Sequence, residues 1–126
     1  MKRFIFALAA IVLCIVTAVF CVKTVKSEIQ PIKESVEAAL SSFTADDHLK
    51  SIMHAQKAVA LFENSENRLT LFIGSENSDT LKKNLGILLK LSKQRNKALF
   101  CEKAEECLEE IKNIEEKQKI NLVNIF

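Results

Sequence analysis

Two hydrophobic patterns divide the chain. The first is a run without a charge that opens at Phe4 and closes at Val22, reading FIFALAAIVLCIVTAVFCV. As a helix it spans roughly 28 Å at about 1.5 Å per residue, close to the ~30 Å hydrocarbon core of a bilayer. Thr17 is its most polar side chain, and a helix lets that hydroxyl bond a carbonyl one turn back. The second pattern begins after Lys23 and Lys26. Apolar residues there recur at three- and four-residue steps between charged positions, the mark of amphipathic helices.

Four such stripes follow. Ile29, Ile32, Val36, Leu40 and Phe43 predict a helix over about 29–43, with Pro31 in its first turn. Ser41-Ser42-Phe43-Thr44 reads as a break, with Thr44 as N-cap and Asp47 in the first turn of the next helix. That helix is predicted over about 45–73, with Leu49, Ile52, Met53, Val59, Ala60 and Phe62 on its apolar face. The all-polar stretch 63–68 is a candidate for fraying or a kink. Gly74 reads as the stop. Residues 75–78 read as a loop, with Ser78 capping a helix over about 79–93 that carries Leu81, Leu85, Leu88, Leu89 and Ser92. A polar turn without Gly or Pro leads to a helix over about 97–116, striped by Phe100, Ala104, Cys107, Leu108, Ile111 and Ile114. The apolar tail 121–126 is expected to fold back onto the bundle. The fold class expected is all-α: an N-terminal transmembrane helix over 1–26, then over 27–126 a small antiparallel bundle of three to four helices.

Composition agrees and narrows the function. The chain has two Gly, one Pro, and no Trp or Tyr. Its net charge of +2 comes from the flanks of the apolar run: beyond residue 26, fourteen basic residues face sixteen acidic ones. No basic surface for nucleic acid is implied. The basic N-terminus favours an inside position and an extracytoplasmic bundle. The alternative is a cleaved signal peptide, which would release the bundle as a secreted binding protein. The run is longer than an ordinary signal core, and near its end the small Thr17 and Ala18 are followed by bulky Val19 and Phe20, with no clean A-x-A site before Lys23.

Charge is unevenly placed. Lys82, Lys83, Lys90, Lys93, Arg95 and Lys97 fall in a stretch with no acid, whereas residues 102–116 hold seven acids against Lys103 and Lys112. If these helices pack antiparallel, their opposite charges would select that pairing. The other reading is a basic strip for anionic lipid or an acidic partner.

No residue pattern names a reaction. His48 and His54 lie about 120° apart around a helix, so they cannot ligate as an i, i+4 pair. Asp46 and Asp47 resemble a helix start. Cys101 and Cys107 are about 9 Å apart along one helix, too far to bridge, and Cys14 and Cys21 lie in the apolar run. No serine sits in a nucleophile turn, and the paired glutamates at 105–106, 109–110 and 115–116 are spaced like a solvated face. No catalytic, cofactor-binding or metal-ligating residue is therefore nominated, no cofactor or small-molecule substrate is identified, and a non-enzymatic role is expected.

The layout resembles a known family. A basic start and one apolar helix precede an all-helical segment. Leu71-Phe72-Ile73 ends the long second helix, and the chain closes on Leu122-Val123-Asn124-Ile125-Phe126. This is similar to the bacterial domain of unknown function 4363. The resemblance implies a membrane-anchored helical domain tied to envelope or sporulation processes, and carries no catalytic role. The partners expected are the lipid bilayer, through the apolar run, and a protein partner or a second copy of the chain.

Overall fold

The computed structural model describes the backbone of residues 1–125 and the side chains of residues 1–120. It contains four α-helices: α1 (Lys2–Thr44), α2 (His48–Ile73), α3 (Ser75–Gln94) and α4 (Lys97–Ile125). They form a ring. α1 packs against α2 and α4, and α3 packs against the same two. Short connections make each neighbour antiparallel to the last.

The core repeats in heptads. Buried positions are Val25, Ile29, Ile32, Val36, Ala39 and Phe43 on α1, and Ala55, Ala58, Phe62, Leu69 and Ile73 on α2, with Ser51 and Ser65 in the same series. On α3 they are Ser78, Leu81, Leu85, Leu88 and Ser92; on α4, Phe100, Ala104, Cys107, Ile111 and Ile114. The alternating four- and three-residue steps keep one seam of each helix inward, as in left-handed bundles with crossings of about 20°. Small residues let α1 and α2 approach closely: the Ser51 hydroxyl donates to the Ala39 carbonyl at 3.0 Å inside the interface. At the end of the bundle away from the apolar run, the Phe43 ring stacks on Phe100 at 4.3 Å, and His48 meets Phe43 edge-on at 5.1 Å.

Several expectations change. α1 runs without interruption from the apolar run into the core, so Pro31 lies in a helix interior and not in a first turn. Proline there forfeits a backbone hydrogen bond. Ile29 and Ile32, both fully buried, hold the helix on either side, and the Ser35 hydroxyl donates to the Pro31 carbonyl at 2.9 Å. Asp47, not Thr44, caps α2, accepting from the Lys50 amide at 3.2 Å. Asp46 makes the preceding turn with φ of 61°. The stretch 63–68 neither frays nor kinks into a loop; it is helical, and Ser65 is buried. Leu49 and Met53 are exposed, because the seam passes through Ser51 and Ala55 instead.

Gly74 ends α2 as expected, with φ of 88° and ψ of 155°, a conformation open essentially to glycine alone. It is also the whole connection. α3 begins at Ser75, so the predicted loop 75–78 is helix, and Ser78 is buried, its hydroxyl 2.8 Å from that of Thr70. The turn before α4 is made by Arg95 in the left-handed region (φ 57°), followed by Asn96, whose side chain accepts from the Leu99 amide. α4 does not stop near residue 116. Its backbone continues through Ile125, so the segment 121–125 extends α4 and is not a separate tail. The expected packing of that segment's side chains, and Phe126, lie outside the described residues.

Candidate functional site

The feature that sets this molecule apart is a surface. Every residue of α1 from 2 to 14 is exposed, including Phe4 and Phe6 at 74% and Leu13 at 66%. Its most apolar window has a mean hydropathy of 3.1, and α1 is the one helix among the described residues long and apolar enough to cross a membrane. The Thr17 hydroxyl donates to the Leu13 carbonyl at 2.8 Å, so its one strong polar group is satisfied within the helix. A surface apolar on all sides has no inward seam. Such a helix cannot be satisfied by packing one face on a bundle.

A polar collar follows. Glu28 on α1 pairs with Arg68 on α2, Oε1 to Nε at 2.9 Å, and its other oxygen lies 2.7 Å from the Ser65 hydroxyl. Glu66 pairs with Lys82 of α3 at 3.2 Å. Above the collar, toward the apolar run, Val22, Val25 and Lys26 of α1 and Glu115, Gln118 and Lys119 of α4 border a cleft of about 70 Å³. That is room for about two waters, far below a ligand site of about 300 Å³. The Gln118 amide donates to the Phe72 carbonyl at 3.2 Å, tying α4, seven residues before its end, across the ring to the end of α2.

The other candidates separate. His48 sits half-buried against Phe43, its Nδ1 buried without a hydrogen-bond partner. His54 lies on a shallow groove with Pro31, Glu34 and Lys57. Cys107 is a core residue, and burial, with Glu110 adding to it, pushes its thiol up to about 12. A thiol so held is protonated and a poor nucleophile at neutral pH. Cys101 is half-buried, and all four cysteines are free. Among the described residues no group of three or more His, Cys, Asp or Glu is placed to hold a metal.

α3 and α4, oppositely charged, pack as antiparallel neighbours, but no ion pair joins them among the described residues. Lys82 turns to α2, and Lys103 pairs with Glu106 on its own helix. What joins α3 to α4 is the Asn84 amide, donating to Glu110 at 2.8 Å. The heptad seam brings position 84 to α4, whereas Lys82, Lys83, Lys90 and Lys93 fall on exposed positions. The collar itself was not foreseen. Its signal was Ser65 at heptad spacing from Phe62 and Leu69, inside a stretch read only as polar.

These features define a four-helix bundle whose first helix projects as an apolar rod. Residues 19–125 match the profile of a domain of unknown function, DUF4363. The chain belongs to that family. No curated protein and no solved structure matches it. The matched span takes in the whole bundle and only the last residues of the apolar run.

Proposed function

We propose that the protein is a single-pass membrane protein, its residues 4–22 in lipid and its bundle at the extracytoplasmic face, acting through protein contacts and not as an enzyme. The observation that carries this reading is the exposure of an all-round apolar helix that is continuous with the bundle. Burying that surface in hydrocarbon is favourable at roughly 25 cal/mol per Å², and from Ile5 onward its backbone N–H groups bond within the helix. The contact role rests on a different surface. Leu49 and Met53, one turn apart on α2, and Leu99 on α4 are exposed at the end of the bundle far from the apolar run. There a partner protein in an envelope-associated process is within reach.

One observation favours a second reading, a secreted bundle released by signal cleavage. The core begins at Val25 and the family match at residue 19, so removal of the run leaves the packed seam complete. Alkaline extraction of cells making the tagged full-length chain, with N-terminal sequencing of the product, separates the two. The anchored reading expects an uncut chain in the membrane pellet. A product beginning near Lys23 in the soluble fraction would replace it. In-cell crosslinking at the Leu49–Met53 face then tests the contact role: a reproducible envelope protein supports it, and no crosslinked protein from any position on that face rejects it.

A further inference from the structure

Resting on the membrane reading above, we propose that the last two turns of α4 enter the same lipid leaflet as the end of the apolar run. The chain then meets the bilayer through a helical pair, not through a single helix.

The argument is one of height along the bundle. Val22 of α1 and Gln118 of α4 border one cleft, and Gln118 bonds Phe72 of α2. Residues 22, 72 and 118 are therefore level, and residue 22 is where the apolar run ends. α4 does not end there. Its backbone continues seven residues further to Ile125, about 10 Å at 1.5 Å per residue. Because α4 is antiparallel to α1, that extension lies beside the apolar run and not beyond the bundle. It reaches the height of about Ile15.

The exposure of α1 changes at that same height. Residues 1–14 are all exposed, including Ile5 at 64% and Ile11 at 57%, whereas Ile15, Ala18, Val19 and Val22 are half-buried. Those four lie on one face of a helix. A covered face that starts level with Ile15 is what an α4 extending to Ile125 provides. The sequence from 121 to 126 carries no charge.

The boundary is chemically marked. Lys23, Lys26, Lys117 and Lys119 are exposed around the level of residue 22, where headgroup phosphates would meet them and where long stems can carry ammonium groups back to water. Leu71, 82% exposed, and Ile120, 58% exposed, occupy the same level. In water they are unpartnered. At the boundary between headgroups and acyl chains they are seated, as in helices that lie about 5–10 Å deep in that zone.

The chain has no tryptophan, so a single one introduced at a chosen site reports its own surroundings. Full-length Ile125→Trp, Val12→Trp and Leu99→Trp are reconstituted in vesicles of phosphatidylcholine and phosphatidylglycerol, with acyl chains brominated both near the headgroup and near the bilayer centre. Circular dichroism matching wild type verifies each bundle. The helical pair expects Ile125→Trp to emit to the blue of Leu99→Trp, to be quenched by the brominated lipid, and to lose quenching by aqueous iodide. If Ile125→Trp is as open to iodide as Leu99→Trp while Val12→Trp is quenched by lipid, the pair is refuted and the single anchor stands. If Val12→Trp escapes lipid quenching, the anchor fails and the pair fails with it.

Discussion

α1 is two helices in physical terms joined by one backbone. From Val25 to Phe43 its buried positions step by four and three, and everything between them faces water or a flank. From residue 4 to residue 14 there is no such seam: the helix is apolar all round and exposed all round. The first half is apolar at every position, the second at fewer than half of its positions, and their requirements are opposite. A neighbouring helix can cover only a stripe, so packing by protein demands periodicity. A hydrocarbon solvent covers every side, so periodicity brings nothing. The absence of pattern in the first half is thus as informative as its presence in the second.

The sharpest way to break that comparison is to damage one half and ask whether the other responds. Phe62 is buried in the seam that faces the packed half of α1. Phe62→Ala removes a ring from a closed core and is expected to cost about 3–5 kcal/mol, much of the roughly 5–15 kcal/mol that holds a domain folded. Chemical denaturation in detergent should show that loss, and membrane retention should be unchanged. The converse is Val12→Arg. Val12 touches no core residue, and on the proposed reading a central arginine costs about 2.5–3.5 kcal/mol of insertion. Retention should drop while the bundle's denaturation midpoint stays put. A bundle that loosens with Val12→Arg, or a chain that leaves the membrane with Phe62→Ala, would mean that the two halves are one energetic unit.

The same contrast governs what could be read from the chain in advance. The seams of α3 and α4 were legible although the start of α3 and the end of α4 were not, because those seams are filled by Leu81, Leu85, Leu88, Phe100, Ile111 and other large apolar side chains. α2 was legible as a helix but not as a face. Leu49 and Met53 outweigh Ser51 and Ala55 in hydrophobicity, yet the smaller pair lies inward. Close approach of α1 and α2 rewards small volume over apolar area, and volume only matters once the partner is known. Pro31 misled for a related reason: its local cost is real, but the buried isoleucines beside it belong to a longer seam than any local rule sees. The collar of Glu28, Ser65 and Arg68 joins positions on two helices, and no single stretch of sequence carries that pairing. The family resemblance was legible in the closing residues, and the profile match bears it out; the apolar surface needed no structure at all.

The packed half also differs from the apolar half in having groups that titrate against burial, and Glu110 measures how much that matters. Burial is the main cause that lifts its carboxyl above the ordinary 4.5; the Asn84 hydrogen bond opposes the lift, the Glu106 charge adds to it, and Lys103 opposes it. A raised value means the folded state holds the proton more tightly than the unfolded chain does. The stability linked to that proton is complete at pH values below 4.5 and is lost as pH rises through the folded value. Glu110→Gln cannot ionise, and its amide can still meet Asn84. The variant should match wild type in acid and become the more stable protein as pH climbs toward neutrality. Because the residue is only half-buried, solvent screening keeps the difference under about 1 kcal/mol. Thermal melts of both proteins across that pH range decide it. If wild type instead gains on the variant with rising pH, the charged form of the Asn84–Glu110 bond outweighs the desolvation of the carboxylate, and the α3–α4 seam is held together by ionisation.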